Sequence, residues 1–425
     1  MEISLVFAIA GSILLILGTP VAVCLGFGAL IALLWVGKDI RLAPVMMYDA
    51  LDSYILIAIP FFMFAGNIMA RGGMARRIFD FSNAMFGWMR GGLGAVNVAG
   101  SMLFGGMSGS ATADAAGLGI IEIQEMVRFK YPLKYAAAIT LATSCMSSII
   151  PPSIIMVVYG IYAGESVAKM LVAGILPGLL VGASFLVTNY IVAVKKGWGA
   201  SEPFRWRSVI QTSRDAVLAI LTPVIIMGGI LAGTVTPTEA SCVAVWYALF
   251  VTIFIYKELK FAELFDVIRD SARLAGVVMF IISTASLASQ LLTSDNVPNF
   301  VAQFITGLSV NRYIGLGLVV LFLLLVGLFM EGIAAIIVLT PIFLPMAKAW
   351  GVDPIHFGVI MITCMAIAVM TPPVGVCIYV ICGISKLTME DLTKSLWPFF
   401  LGLFFSLLLL VVFPSISLIL IDLFW

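Results

Sequence analysis

Apolar runs of span length follow one another from Ile3 to Trp425, parted by short polar segments. A run of about 20 apolar residues crosses a bilayer as a helix, and the ten-residue alternation of a membrane barrel is absent. The expected class is an all-α polytopic membrane protein. The run 3–36 is interrupted at Gly18-Thr19-Pro20, which allows two helices or one kinked helix. An interface loop (37–52) and a span (54–70) follow. Between 71 and 90, Arg71, Arg76, Arg77 and Arg90 interleave with Phe79, Phe81, Phe86 and Trp88. That pattern predicts an amphipathic helix lying in the interface, or else a basic cytoplasmic loop. Next come the small-residue stretch FGGMSGSATADAAGLG (104–119), a charged turn with Glu122, Glu125, Arg128, Lys130 and Lys134, and a span over 135–163 broken by SCMSSIIPPS.

The second half reads similarly. After a span over 171–194, the segment 195–214 carries five basic residues and one acid, which marks a cytoplasmic linker. Spans over 216–233 and 241–256 flank TPTEA. A charged stretch (257–273), a span (274–292) and a polar segment (293–312) follow. The last third holds a run over 313–328, a polar break at Glu331, TPIFLP, a loop GVDPIHFG, a span broken around TPPVG, and a final run to Trp425.

Composition supports this class. Hydrophobic residues make up 62% and charged residues 11%, against roughly 25% charged in soluble domains. A net charge of +1 gives no field for nucleic acid. The six cysteines (Cys24, Cys145, Cys242, Cys364, Cys377, Cys382) lack CxxC spacing and read as buried thiols. A single histidine, His356, rules out a multi-histidine metal site. Met1-Glu2-Ile3 has no basic n-region, so the first run is expected to be retained and not cleaved as a signal peptide.

The interruptions occur twice at one spacing. Pro151-Pro152 and Pro372-Pro373 lie 221 positions apart (372 − 151), and at that offset Gly106 meets Gly327, Ser110 meets Glu331 and Pro177 meets Pro398. At 223, Ile78 and Phe81 meet Val301 and Phe304. Paired interrupted spans in two repeats mark the binding site of a secondary transporter. Non-helical backbone at membrane depth must be buried in protein or line a watery cavity. Each glycine-rich stretch is therefore expected to form a re-entrant hairpin whose tip meets the following Pro-Pro break. Freed carbonyls there, with the hydroxyls of Ser108, Ser110, Thr112, Ser144, Ser147 and Ser148, suit a small cation, and half-helix N-termini suit a carboxylate. Glu331 and Thr371 hold the equivalent places in the second copy. The bland reading of the small residues is close helix packing. Glu239 and Glu331 stand as carboxylates in apolar surroundings, although Glu239 could simply cap a helix after Pro237. Asp114 could accept from backbone donors of the hairpin.

The strings FGGMSGSATAD, IIPPSIIMVVYG, AGILPGLL, GGILAGTVTPTEA, GVDPIHFGV and TPPVG, in that order, resemble the large membrane subunit of tripartite ATP-independent periplasmic (TRAP) transporters of the DctM-like type. The resemblance covers nearly the whole chain. It implies sodium-driven import of an organic acid, of the sialic acid or C4-dicarboxylate class, across the bacterial inner membrane. It further implies a periplasmic substrate-binding protein and a small four-helix membrane subunit (Q type) as partners, with a scaffold and a moving transport domain working as an elevator. Carried over by motif, the first sodium site draws on Gly106, Ser108, Ser110, Ser144 and Ser148, and the second on Gly327, Glu331, Thr371 and Gly375. Ser147, Pro151, Pro152, Pro372 and Pro373 stand toward substrate. The implied division is N-terminal scaffold helices (1–70), an interfacial arm (71–91), the first part of the transport domain (92–170), scaffold helices containing the linker (171–292), a second arm segment (293–312), the second part of the transport domain (313–390) and a C-terminal helix (391–425). Where the family often has Asn and Gly before TPPVG, this chain has Cys364 and Ala368. The small subunit is expected to be a separate chain.

Two other classes are open on sequence. A stand-alone sodium/dicarboxylate symporter would share the paired hairpins. An intramembrane protease would use the GMSG string at Gly106–Gly109 with His356 as base. No GxxxxGK[ST] string is present, so the chain carries no sign of ATP-driven work. A channel is disfavoured by two closed hairpins about a central site.

Overall fold

The first interruption is a turn. Gly18 adopts φ +79°, and the run becomes two helices packed on each other, α1 (Glu2–Ile16) and α2 (Val21–Trp35). The computed structural model describes residues 2–199, 203–307 and 311–425, with no strand among them. A short α3 (Leu42–Asp49) occupies the polar segment, and a 3-10 turn leads into α4 (Ala58–Arg71).

The segment at 71–90 is a helix, α5 (Met74–Phe86), so the basic-loop alternative falls. One face buries Met74, Ala75, Ile78, Phe79 and Ser82. Arg76 on the other face pairs with Asp80 at 3.2 Å and Glu125 at 3.4 Å. Arg77 reaches Glu258 at 2.6 Å and lies 3.7 Å over the Tyr256 ring.

Two hairpin-and-broken-helix units follow the same order of elements. The first comprises α6 (Gly92–Ser108), α7 (Ala111–Arg128), α8 (Leu133–Ser144), a 3-10 turn at Cys145–Ser148 and α9 (Ile154–Ala163). Between the units lie α10 (Val167–Ala173), α11 (Ile175–Lys196), α12 (Trp206–Leu231), α13 (Pro237–Phe250) with a π-helical end, α14 (Phe261–Ser294) and α15 (Val297–Gly307). The second unit comprises α16 (Arg312–Gly327), α17 (Gly332–Ala349), α18 (Pro354–Ala368) and α19 (Val376–Ser385). Two helices close the chain, α20 (Met389–Val412) and α21 (Ser415–Phe424), parted at Phe413-Pro414.

Among the described residues, seven helical stretches are long and apolar enough to cross a membrane, including Tyr54–Arg71, Val167–Lys196 and Met389–Val412. Neither α6 nor α7 is among the seven. The stretch Gly332–Ala349 is, but 78% of it is buried, so α17 is an interior helix.

Four boundaries differ from the sequence expectation. The charged stretch after residue 257 is mostly helix. Glu263 caps it through the Lys260 N–H at 3.1 Å, and Asp266–Arg269 pair along it at 2.8 Å. At 34 residues, α14 is about 50 Å long, so its charged first turns extend beyond a hydrocarbon core of about 30 Å. The linker 195–214 is shortened because α12 begins at Trp206. GVDPIHFG is loop only as far as Asp353, which caps α18 by accepting from the N–H groups of Ile355 (2.8 Å) and His356 (3.1 Å). The charged turn expected at Glu122 starts later, since α7 runs to Arg128 and buries Glu122. In the segment 293–312, residues 308–310 and the side chain of Phe304 lie outside the described residues.

Candidate functional site

Glycine governs the first tip. Gly109 turns the chain in the left-handed region (φ +62°) between α6 and α7. The Ile154 N–H at the start of α9 donates to the Gly109 carbonyl at 3.3 Å. An ideal Cβ on Gly109 would sit 2.2 Å from the Pro152 carbonyl oxygen, and one on Gly105 would sit 2.6 Å from Ser147 Oγ. The end of α6 thus lies directly on the backbone of 147–152. Gly106 faces Pro151 across a similar approach, its ideal Cβ 3.5 Å from the Pro151 carbonyl. The hairpin tip meets the Pro-Pro break, as the sequence predicts.

The serines divide by what they touch. Ser108 Oγ is buried and has no hydrogen-bond partner. Ser110 caps α7, accepting from the Ala113 N–H at 3.4 Å and lying 3.0 Å from Thr112 Oγ1. Ser144 Oγ donates to the Leu141 carbonyl at 2.9 Å. The Ser148 carbonyl accepts from Ser153 Oγ at 2.6 Å. Ser147 Oγ donates to Asp114 Oδ2 at 3.1 Å. Asp114 is therefore bonded to the broken helix through Ser147, which replaces the expected role as an acceptor for backbone donors of its own hairpin.

The second tip is built differently. Glu331 is the N-cap of α17 and accepts from the N–H groups of Ile333 (2.9 Å) and Ala334 (3.3 Å). Gly327 approaches α18 so closely that an ideal Cβ would fall 2.6 Å from the Ala368 Cβ. Thr371 Oγ1 donates to the Ile367 carbonyl at 2.6 Å. Gly375 is folded tightly into its own break, its ideal Cβ 2.7 Å from the Thr371 carbonyl and 2.8 Å from that of Val369. Both Pro-Pro bonds are cis, but Pro151 and Pro152 are buried, whereas Pro372 is half-buried and Pro373 exposed.

The two units interlock. The second half of the first broken helix, α9, packs on the second hairpin helix α17, and α19 packs on the first hairpin helix α7. Ile155 Cδ1 lies 2.9 Å from an ideal Cβ on Gly332, and Ile381 Cδ1 lies 3.6 Å from one on Gly119. The Tyr159 hydroxyl ties α9 to Pro354 O at 2.6 Å. Beside Gly106 and Pro151 lies an apolar cleft of about 250 Å³, bordered by Met102, Ile150, Leu179, Pro223 and Met227, where α6 and the break meet α11 and α12.

Sequence reasoning missed a buried polar network behind the first tip. Asn97 Nδ2 donates to Thr140 Oγ1 at 2.7 Å, and Thr143 Oγ1 donates to Asn97 Oδ1 at 2.6 Å. Ser101 Oγ reaches Thr143 at 3.2 Å. These bonds fix α6 to α8. The signal was present in Asn97/Ser101, four residues apart, and Thr140/Thr143, three apart, each pair on one helix face. Glu239 proves exposed, in a capping box with Thr236 at 2.8 Å, so it is no buried carboxylate. His356 is buried with Nδ1 3.2 Å from Ser417 Oγ. It makes no hydrogen bond to Ser108, so the nucleophile–base pair that a protease needs is not assembled.

Residues 9–416 match the family model described as "Tripartite ATP-independent periplasmic transporter, DctM component". The chain is 39% identical over 391 residues to the C4-dicarboxylate TRAP transporter large permease protein DctM of Pseudomonas aeruginosa, covering 92% of each. It is 35% identical to the sialic acid TRAP transporter large permease protein SiaM of Vibrio cholerae, covering 97% of this chain and 96% of that one. It is also 35% identical to the isethionate TRAP transporter permease protein DctMQ of Oleidesulfovibrio alaskensis, covering 95% of this chain and 64% of that longer protein. In fold it is similar to the YdaH transporter of Alcanivorax borkumensis, with a TM-score of 0.63 over 98% of both chains at 14% identity. With a hairpin seated on a broken helix in each unit, and with relatives matched along their lengths, the chain belongs to the DctM family of large membrane subunits of TRAP transporters.

Proposed function

We propose that this subunit imports an organic acid of the sialic acid or C4-dicarboxylate class across the bacterial inner membrane, driven by sodium. The observation that carries the ion reading is the first tip, where a buried hydroxyl, Ser108 Oγ, lacks any protein partner beside a hairpin seated on a broken helix. A buried polar group without a partner is costly, and a small cation would supply one. The first ion is assigned to Gly106, Ser108, Ser110, Ser144 and Ser148, and the second to Gly327, Glu331, Thr371 and Gly375. Ser147 and the two proline pairs stand beside the substrate path.

The exchange of α9 onto α17 and of α19 onto α7 supports a two-fold repeat, with both units moving as one body against α11 and α12. The names of the relatives support the substrate class. The length and name of the DctMQ relative support a small Q-type partner. A periplasmic binding protein delivers the substrate in this reading. Uptake should be measured in proteoliposomes holding both membrane subunits, with and without the cognate binding protein, under an inward sodium gradient. Uptake should require both. Comparable uptake without the binding protein would favour the stand-alone symporter, and uptake without sodium would overturn the coupling.

A further inference from the structure

Glu122 is the most isolated charge-bearing side chain in the first unit. It is 1% exposed, and neither carboxylate oxygen has a hydrogen-bond partner. Ser82 on α5 is fully buried, and its Oγ is likewise without a partner. Both face one gap at Gly100 of α6, where an ideal Cβ would lie 3.2 Å from Glu122 Oε1 and 3.9 Å from Ser82 Oγ. The Glu122 carboxyl and the Ser82 hydroxyl, orphaned on two helices, therefore border the place where α6 has no side chain, beside the Leu118 Cδ2 methyl at 3.2 Å.

Among the described residues, no cation pairs with the carboxylate. Of the elements packed on α7, α6 carries no titratable group, and the 3-10 turn and α19 bring Cys145, Cys377, Cys382 and Tyr379. On α4, Arg71 pairs with Asp270. On α5, Arg76 pairs with Asp80 and Glu125, and Arg77 with Glu258. On α8, Lys134 pairs with Asp391 at 2.7 Å, and the Tyr135 hydroxyl donates to Asn189 at 2.8 Å. On α7 itself, Asp114 bonds Ser147 and Arg128 bonds Glu125. A hard metal ion gathers about six oxygens, twice what the gap supplies. A proton needs no such shell, and Ser82 Oγ faces the carboxyl across the gap without being hydrogen-bonded to it.

We propose that Glu122 is a proton-binding site, held as the neutral acid at neutral pH, with Ser82 Oγ brought to its O–H by rotation of the side chains about the gap at Gly100. It is separate from the tips to which the sodium ions are assigned, and it makes the transport body sensitive to alkaline pH. Loss of the proton leaves a carboxylate in the bundle interior with nothing to pair it, which loosens α7 from α5 and α6.

Infrared spectroscopy of the purified, reconstituted subunit pair tests this without relying on transport. A protonated-carboxyl C=O band should be present at neutral pH, move on ¹³C-glutamate labelling, vanish in Glu122→Gln, and shift in frequency in Ser82→Ala. If Glu122→Gln fails to fold, Glu122→Asp should move the band instead. In proteoliposomes, wild-type uptake should decline at alkaline pH with a limiting slope of about tenfold per pH unit, that of a single proton, and Glu122→Gln should abolish the decline. Absence of the band, its persistence in Glu122→Gln, or its loss on adding sodium at constant pH would overturn the proposal. So would an alkaline decline of equal slope in Glu122→Gln. Loss of sodium-driven uptake with the band intact would count only against the sodium reading.

Discussion

Replacing Gly109 by Ala should undock the first hairpin tip. Two costs can be worked out. The left-handed φ of +62° costs a residue with a Cβ about 1 kcal/mol. The new methyl would lie 2.2 Å from the Pro152 carbonyl oxygen, where ordinary contacts lie at 3.4–4 Å. The obstructing atom is backbone and cannot rotate aside, so the tip must retreat by about 1 Å. That retreat breaks the bond from the Ile154 N–H to the Gly109 carbonyl, at about 1 kcal/mol, with loss of packing besides. The sum is about 2–4 kcal/mol, or roughly a 30- to 700-fold shift in the docking equilibrium. Gly164→Ala provides the control. Its φ is +69° and no atom lies within 4 Å of its ideal Cβ, so it incurs the backbone cost alone. Both variants should be compared by thermal unfolding with and without sodium, and by sodium-driven uptake. Gly109→Ala should lose uptake and the stabilisation by sodium, whereas Gly164→Ala should lose only about 1 kcal/mol of stability. Equal behaviour of the two variants would refute the reasoning.

Three further outcomes are expected. Ser108→Ala removes an orphaned buried hydroxyl, so thermal stability without sodium should hold or rise by about 1 kcal/mol while the sodium concentration for half-maximal uptake increases; a stability loss with unchanged sodium dependence would contradict the assignment. Glu331→Gln keeps an oxygen for the α17 cap and should fold but transport poorly. Glu331→Ala should lose about 1 kcal/mol more stability in a denaturation curve. Gly327→Ala should destabilise by about 1–3 kcal/mol through overpacking against Ala368, and Ala368→Gly should restore most of it in a double-mutant cycle.

The breaks were legible because Gly and Pro act on the backbone directly. Gly109, Pro151-Pro152 and Pro372-Pro373 punctuate the chain wherever their neighbours lie. Side-chain commitments were not legible in that way. Ser108 and Ser110 are near-identical in sequence, yet one is orphaned and the other caps a helix, a difference set by which side of the αL turn each occupies. In sequence, Glu122 groups with Glu125 and Arg128 as a polar turn. Its spacing of four from Leu118 and eight from Asp114 places it on the buried face, but three charges within seven residues masked that face. The charged start of α14 was hidden in the same way, with Glu263 as the helix-start signal. The reciprocal packing of α9 and α19 is tertiary information that no local pattern carries.

The close approach of Gly327 and Ala368 bears on how this subunit can change over generations. The two positions share room for a single methyl group, now carried by residue 368. Either position could carry it, but not both. Substitution from one arrangement to the other is therefore favoured through the state with Gly at both positions, because the Ala–Ala state costs about 1–3 kcal/mol. Related chains should show Gly–Ala, Ala–Gly or Gly–Gly at this pair far more often than Ala–Ala, a correlation that sequences alone can test.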